Sequence, residues 1–369
     1  MDTTAEPNIL IKPVLAPKPE EEVLRQKEID AFIQDAGLKN VRKIRIAGDA
    51  SNRRYQRIFS GDTSYMLMDS PVEKEPVDPF IQIDKILLER GFSAPKIIKE
   101  NKERGLLLLE DFGNTLFSKF FHDAAVEDED LVQQQLYREA VNILIALAQQ
   151  GLDDGFTCDD VALYDEDVLE REVAAFGEWF LPEIVEGAQL KEAQNSWKLL
   201  WRFLISSADL TPNTLVLRDY HVDNLCWLEQ REGLQRVGLL DFQDALRGNK
   251  AYDLVSLLED ARRDVPPTLQ ASLKTEYISA LELNEETFNR DYAFYGAQRN
   301  AKILGYFVRL YRRDGKPRYL AMIERVWNYF LADIEHASLN DVQQWVNKYF
   351  DHDARRAVND IAKISIQNV

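Results

Sequence analysis

The segments LVLRDYHVDNLCWL (215–228) and RVGLLDFQDA (236–245) decide how this chain is read. Each places a short apolar run, LVL before Asp219 and VGLL before Asp241, directly ahead of a carboxylate. Runs of that kind read as buried strands, and strand ends on a hairpin-like support bring Asp241 beside Asn224. Asp219 and Asn224 are separated by four residues, an R-D-x-x-x-x-N spacing. Asp and Asn are also ordinary turn residues, so the spacing gains its weight from the L-L-D-F that follows at the right distance. Together these residues suit transfer of a phosphoryl group to a hydroxyl. That reaction needs a carboxylate to orient and accept the hydroxyl proton, and hard oxygen ligands for magnesium on the phosphates. Asp219 is then the base, Asn224 and Asp241 are the metal ligands, and ATP and magnesium are the implied cofactors.

Upstream, the periodicity predicts a helix over 21–38, with Val23, Ile29, Phe32 and Ile33 as its apolar stripe. VRKIRIAGDASNRRYQRIF (41–59) reads as strand, turn, strand, and TSYMLMDSP (63–71) as a third strand stopped by Pro71. A helix over 79–91 and an apolar strand, LLLLEDFG (106–113), complete the set. Downstream a long helix over 130–150 is followed by helices over 165–180, 190–207, 251–263, 268–282, 286–313 and 316–335. Three strands, a helix and a strand, then mostly helix, predict an α+β, two-lobed protein-kinase-like fold. Its small β-rich N-lobe spans 21–112 and its large helical C-lobe 113–369, with Pro-rich residues 1–20 as a mobile leader.

Gly48-Asp49-Ala50-Ser51-Asn52-Arg53-Arg54 lies between two strands and reads as a loop over triphosphate. It has only one glycine and is also compatible with a plain hairpin. Ser51 and Asn52 can approach the phosphates, and guanidinium donors at Arg53 and Arg54 suit phosphate oxygens. Kinases place a lysine on the third strand and a partner glutamate on the next helix. Here Met68 holds the lysine position, and the helix offers no clear glutamate. Either Arg53 or Arg54 supplies the missing charge, or the protein is a nucleotide-binding pseudokinase. Glu110 and Phe112, in EDFG, mark the inter-lobe hinge that would receive adenine. His221 reads as a structural histidine of the catalytic loop, and Asp253 as a brace for it. Glu172, Trp179, Glu259, Asp260, Arg262 and Asp264 are candidates for lining the acceptor site. Gln298, Arg299, Asn300 and Lys302, with the arginines that follow them, read mostly as a solvated helix face.

Four blocks carry a family resemblance: GDASNRRYQRI (48–58), LRDYHVDNL (217–225), LLDFQDALRGNKAYDLVSLLEDARRDV (239–265) and QRNAKILGYFVRLYRRDGKPRYLAMIERVW (298–327). With them the chain resembles the aminoglycoside phosphotransferase superfamily of small-molecule kinases. Within it, the last two blocks are similar to the N-acetylmuramate/N-acetylglucosamine anomeric kinases of cell-wall recycling. The resemblance implies phosphorylation of an amino sugar at its anomeric hydroxyl, with Arg262, Arg263, Arg299 and Arg309 as the cations available for an anionic substituent and no choice between them in the sequence. A kinase for an aminoglycoside, choline or homoserine is the other enzyme reading.

The chain carries 63 acidic and 45 basic residues, a net charge of −18, which argues against nucleic acid as a partner. Two cysteines, Cys158 and Cys226, are too few for a disulfide framework and fit a reducing cytoplasm. No apolar run of about 18 residues exists to span a membrane. A cytoplasmic monomer acting on a small sugar is the expectation.

Overall fold

The computed structural model describes residues 19–46, 52–73, 75–120, 129–152 and 160–364. Residues 1–18 of the expected leader and 48–51 of the expected phosphate loop, Ser51 included, lie outside them. Pro19 and Glu20, counted with the leader, belong to helix α1 (Pro19–Asp35), which ends short of 38. Ile29, Phe32 and Ile33 of its predicted stripe are buried, but Val23 is exposed.

Strands β1 (Arg42–Ile46), β2 (Arg54–Ser60), β3 (Thr63–Asp69), β4 (Ile97–Asn101) and β5 (Leu106–Glu110) form an antiparallel sheet in the order β1-β2-β3-β5-β4. Helix α2 (Asp78–Glu89) connects β3 to β4. Strand β4, absent from the sequence reading, alternates exposed and half-buried residues on a sheet edge. Its apolar signal is therefore weak. On β5 the run of four leucines is explained by burial on both faces. Leu106 and Leu108 meet α1, whereas Leu107 and Leu109 face Met68, Phe80 and the main core. Burial of each is worth about 1.5–3 kcal/mol. The strand stops at Glu110, and residues 111–114, with the end of the expected hinge among them, form the loop that follows.

The large lobe contains α3 (Phe117–Phe120), α4 (Glu129–Gln150), α5 (Glu166–Ala175) and α6 (Gly187–Ser207). A π-turn at Phe176–Phe180 breaks the helix expected over 165–180. Two short ladders follow: β6 (Thr214–Val216) pairs with β9 (Leu246–Gly248), and β7 (Leu225–Trp227) with β8 (Val237–Leu239). Helix α7 (Ala251–Leu258) ends five residues before the expected 263, where residues 259–263 turn away from the helix. Then come α8 (Pro267–Ala280), α9 (Glu285–Asp314), α10 (Ile323–Asp333), α11 (Asn340–Tyr349) and α12 (His352–Ile364). The last two were not foreseen. Helix α9 is the spine of this lobe. At Gly305 a Cβ would stand 2.2 Å from the Ala175 carbonyl, so glycine is what lets α9 cross α5 closely. Among the described residues no helix is long and apolar enough to cross a membrane.

Candidate active site

Asp219 lies just beyond β6, in a turn whose backbone is unusual. Arg218 has φ 70°, a left-handed conformation that costs a non-glycine residue about 1–2 kcal/mol. Asp253, in the first turn of α7, holds that turn. It accepts from the Leu217 N–H at 2.6 Å and the Arg218 N–H at 2.9 Å. Burial pushes the Asp253 carboxyl up to about 7, against the pull of these two amides and Arg299. The Arg218 side chain pairs with Glu172 of α5 and reaches the Asp244 carbonyl at 3.3 Å. It thereby links the Asp219 turn to the Asp241 loop.

Glu172, expected at the acceptor site, is only 2 % exposed and cannot line it. Its carboxylate also meets Lys302 at 3.4 Å, Gln298 at 3.3 Å and the Tyr164 hydroxyl. Burial would raise this carboxyl; Lys302 and Arg218 overcome it and hold it at about 2. Glu172 is a support behind the catalytic turn. Gln298, Arg299, Asn300 and Lys302, expected on a solvated face, are all buried. The error has a clear cause: α9 runs through the lobe, and its polar residues are satisfied internally.

The β7–β8 hairpin brings Asn224 and Asp241 together. Beyond its last pair, Leu225 with Leu239, the Leu240 N–H donates to the Asn224 carbonyl at 3.0 Å. Asp241 follows with φ 58°, a second left-handed residue at the cleft. Gln243 donates to Asp241 Oδ1 at 2.9 Å. Burial and the nearby Asp219 push the Asp241 carboxyl above its usual range, while Gln243 and Arg53 pull it down. Asn224 Nδ2 donates to the Asp219 carbonyl at 2.9 Å and lies 3.3 Å from His221 Nε2. With Nδ2 engaged in this way, Oδ1 is the atom of Asn224 that could serve a metal ion. Burial, with Arg262 and Arg299 nearby, drives His221 well below its usual pKa, so the neutral ring can accept from Asn224. Among the described residues no three His, Cys, Asp or Glu side chains form a ready-made metal centre. One carboxylate and one amide oxygen fit magnesium, which takes its other ligands from phosphates and water.

Around this core, Arg262 pairs with Asp223 of the catalytic loop at 3.0 Å and with Asp260 at 3.8 Å. Asp260 is fully buried and accepts from the Arg262 and Val222 amides, and Glu259 is buried too. Neither faces an acceptor. Asp264 is on the surface, bound to Arg325. Arg299 is 3 % exposed.

On the small-lobe wall the two arginines point to different places. Arg54 pairs with Glu22 of α1 and with Asp69, each at 2.7 Å, away from the cleft. Arg53 is buried, pairs with Glu75 at 3.3 Å and acts electrostatically on Asp241. Met68 is fully buried beside the Tyr55 hydroxyl, which lies 3.4 Å from its sulfur. Across from it, Phe80 of α2 packs on Phe242, ring centroids 4.9 Å apart. Apolar contact therefore replaces the strand–helix ion pair. Glu110 pairs with Arg231, and Phe112 covers Gly238, where a Cβ would stand 2.7 Å from its ring. Arg57 ties the sheet to the hinge through Asp111 at 2.7 Å and Asn114 at 2.6 Å. Sequence reading missed Glu75 and Arg57. Nothing local marks either one, since each acts across a long sequence separation.

The fold and the converging Asp219, Asn224 and Asp241 define a two-lobed phosphotransferase. A family model described as the phosphotransferase enzyme family matches residues 44–293, and the chain belongs to that APH family. Membership makes it a kinase-type enzyme and implies ATP use. It is 33% identical over 362 residues to an N-acetylmuramate/N-acetylglucosamine kinase of Caulobacter vibrioides, covering 88% of this chain and 97% of that protein. A protein of the same name from Pseudomonas aeruginosa is 35% identical over 291 residues, 77% of this chain and 81% of the relative. Among solved structures, choline kinase LicA from Streptococcus pneumoniae aligns with a TM-score of 0.54 at 14% identity, over 86% of this chain and 99% of that one. That likeness is one of fold.

Proposed function

We propose that this enzyme transfers the terminal phosphoryl group of ATP, with magnesium, to the anomeric hydroxyl of N-acetylmuramate and N-acetylglucosamine. The convergence of Asp219, Asn224 and Asp241 at the ends of β6 and the β7–β8 hairpin carries the reading. Similarity to sugar kinases over 88% of the chain supports the acceptor. Asp219 takes the hydroxyl proton; an anomeric hydroxyl is more acidic than an ordinary alcohol, so a carboxylate suffices. Asn224 Oδ1 and Asp241 hold magnesium, which when bound neutralises charge on the phosphates. Arg53 supplies the phosphate cation that the third strand lacks. The hinge after Glu110 presents backbone groups to adenine, with Phe112 beside them. Arg262, paired with Asp223 of the catalytic loop and partly exposed, would meet an anionic substituent of the acceptor.

Product analysis by phosphorus NMR tests this. ATP and N-acetylmuramate should give a sugar 1-phosphate that mild acid destroys. A 6-phosphate, or turnover on an aminoglycoside and on neither sugar, would remove the acceptor assignment and leave the kinase standing.

A further inference from the structure

We propose that Glu75 is a positioning residue that holds the Arg53 guanidinium for the nucleotide phosphates and keeps it from neutralising Asp241. This rests on the reading above, in which ATP and magnesium share the cleft. A guanidinium and a metal-binding carboxylate on facing walls attract one another, and more strongly at the low effective dielectric between two lobes. Were Arg53 to swing onto Asp241, one contact would consume both the phosphate cation and the metal ligand. Another carboxylate must therefore restrain it, and in many kinases the first helix of the small lobe provides one.

Here α2 does not. Its buried face is Phe80, Ile83, Ile86 and Leu87, and its one buried acid, Asp84, lies toward Glu110 at the hinge end. Glu75 comes instead from the turn between β3 and α2, and it is anchored at both ends. Its backbone N–H donates to the Pro71 carbonyl at 2.8 Å, and its own carbonyl accepts from Ser70 Oγ at 2.5 Å. Its carboxylate accepts from the Asn52 backbone N–H at 2.9 Å and from Asn52 Nδ2 at 3.0 Å, with Arg53 Nε at 3.3 Å. Glu75 thus faces the Nε edge of Arg53 as an ion pair rather than a hydrogen bond, beside a side chain that is 7% exposed, and with the same head group it ties Asn52, just ahead of β2.

The test compares wild type with Glu75→Ala, Glu75→Gln, Arg53→Met and the Glu75→Ala/Arg53→Met double variant. Two quantities are read: binding of a fluorescent ATP analogue in chelator, without metal or turnover, and the free magnesium giving half-maximal turnover at saturating nucleotide. Glu75→Ala should weaken analogue binding by about tenfold to a hundredfold, the usual worth of a charge-assisted contact. It should also raise the magnesium requirement several-fold. Glu75→Gln keeps an acceptor for Asn52 and should move both quantities the same way, which separates lost charge from a damaged loop. In the double variant the magnesium requirement should return toward wild type while analogue binding stays weak, because no guanidinium is left to cover Asp241. Tighter or unchanged analogue binding in Glu75→Ala would overturn the proposal, as would a magnesium shift that Arg53→Met does not reverse. A wild-type protein that neither bound the analogue nor turned over would instead remove the parent reading, and this proposal with it.

Discussion

On the large-lobe wall of the cleft, Asp219 and Asp241 are set by backbone hydrogen bonds. Asp253 grips two consecutive amides ahead of Asp219, and the Leu240 amide ties the Asp241 loop to Asn224. Two residues at positive φ, Arg218 and Asp241, are held in place by this scaffold. On the small-lobe wall, Arg53 is oriented by side chains, above all Glu75, and Arg54 next to it faces the opposite side of the sheet. A wall fixed by main-chain bonds tolerates little change in its few polar side chains. A wall fixed by ion pairs has its function distributed, and neighbouring residues in the sequence can serve unrelated ends.

The largest effects should come from the first wall. Asp241→Ala removes the only carboxylate assigned to magnesium, and turnover should fall to background with little recovery on raising the metal. Asp219→Asn keeps the size of the side chain but cannot take a proton, so turnover should drop by about 10²–10⁴ with nucleotide binding nearly unchanged. Steady-state kinetics beside a binding titration would check both. Wild-type turnover in Asp219→Asn would mean that the most rigid part of the site is not its chemical centre.

A smaller effect separates the adjacent arginines. Arg53→Ala should raise the Michaelis constant for ATP by about tenfold to a hundredfold. Arg54→Ala should leave it unchanged and instead lower stability, by about 1–3 kcal/mol, because Asp69 is buried and would keep only Arg25. Kinetic and denaturation measurements on both variants should show effects that do not overlap. A kinetic defect in Arg54→Ala would contradict the division of roles.

The last comparison, which leaves turnover aside, is between two buried carboxylates. Burial pushes Asp253 and Asp84 each up to about 7, with Glu110 adding to the shift at Asp84. Asp253 uses its charge on two amides, whereas Asp84 Oδ1 has no hydrogen-bond partner among the described residues. A folded pKa of about 7, above the ordinary 3.8, means that Asp84 favours the folded state below 3.8 and that this contribution is lost as pH rises through 7. Asp84→Asn does not ionise. Its melting temperature should therefore exceed that of wild type at pH 8 and show no gain at pH 4. A gain of equal size at both values would rule out titration of Asp84 as the cause.

The spacing of Asp219, Asn224 and Asp241 was legible in the chain because a strand–turn–hairpin places them with few intervening residues, so local geometry and chemistry coincide. The order of strands and helices was legible for the same reason: periodicity reports which face is buried. Edge strand β4 was not, since a half-exposed strand leaves a weak pattern; helices α11 and α12 were missed although their apolar stripes are well marked. Only the tertiary structure decided what the polar residues of α9 and α5 are for. A sequence of Gln, Arg, Asn and Lys on a long helix looks solvated until the helix is found to cross the interior, where Lys302 and Glu172 neutralise one another behind Arg218. Nor could the chain alone distinguish Arg53 from Arg54. In a strand, successive side chains point to opposite faces, and which face meets the cleft is settled by what packs on the other, here α1 with Glu22.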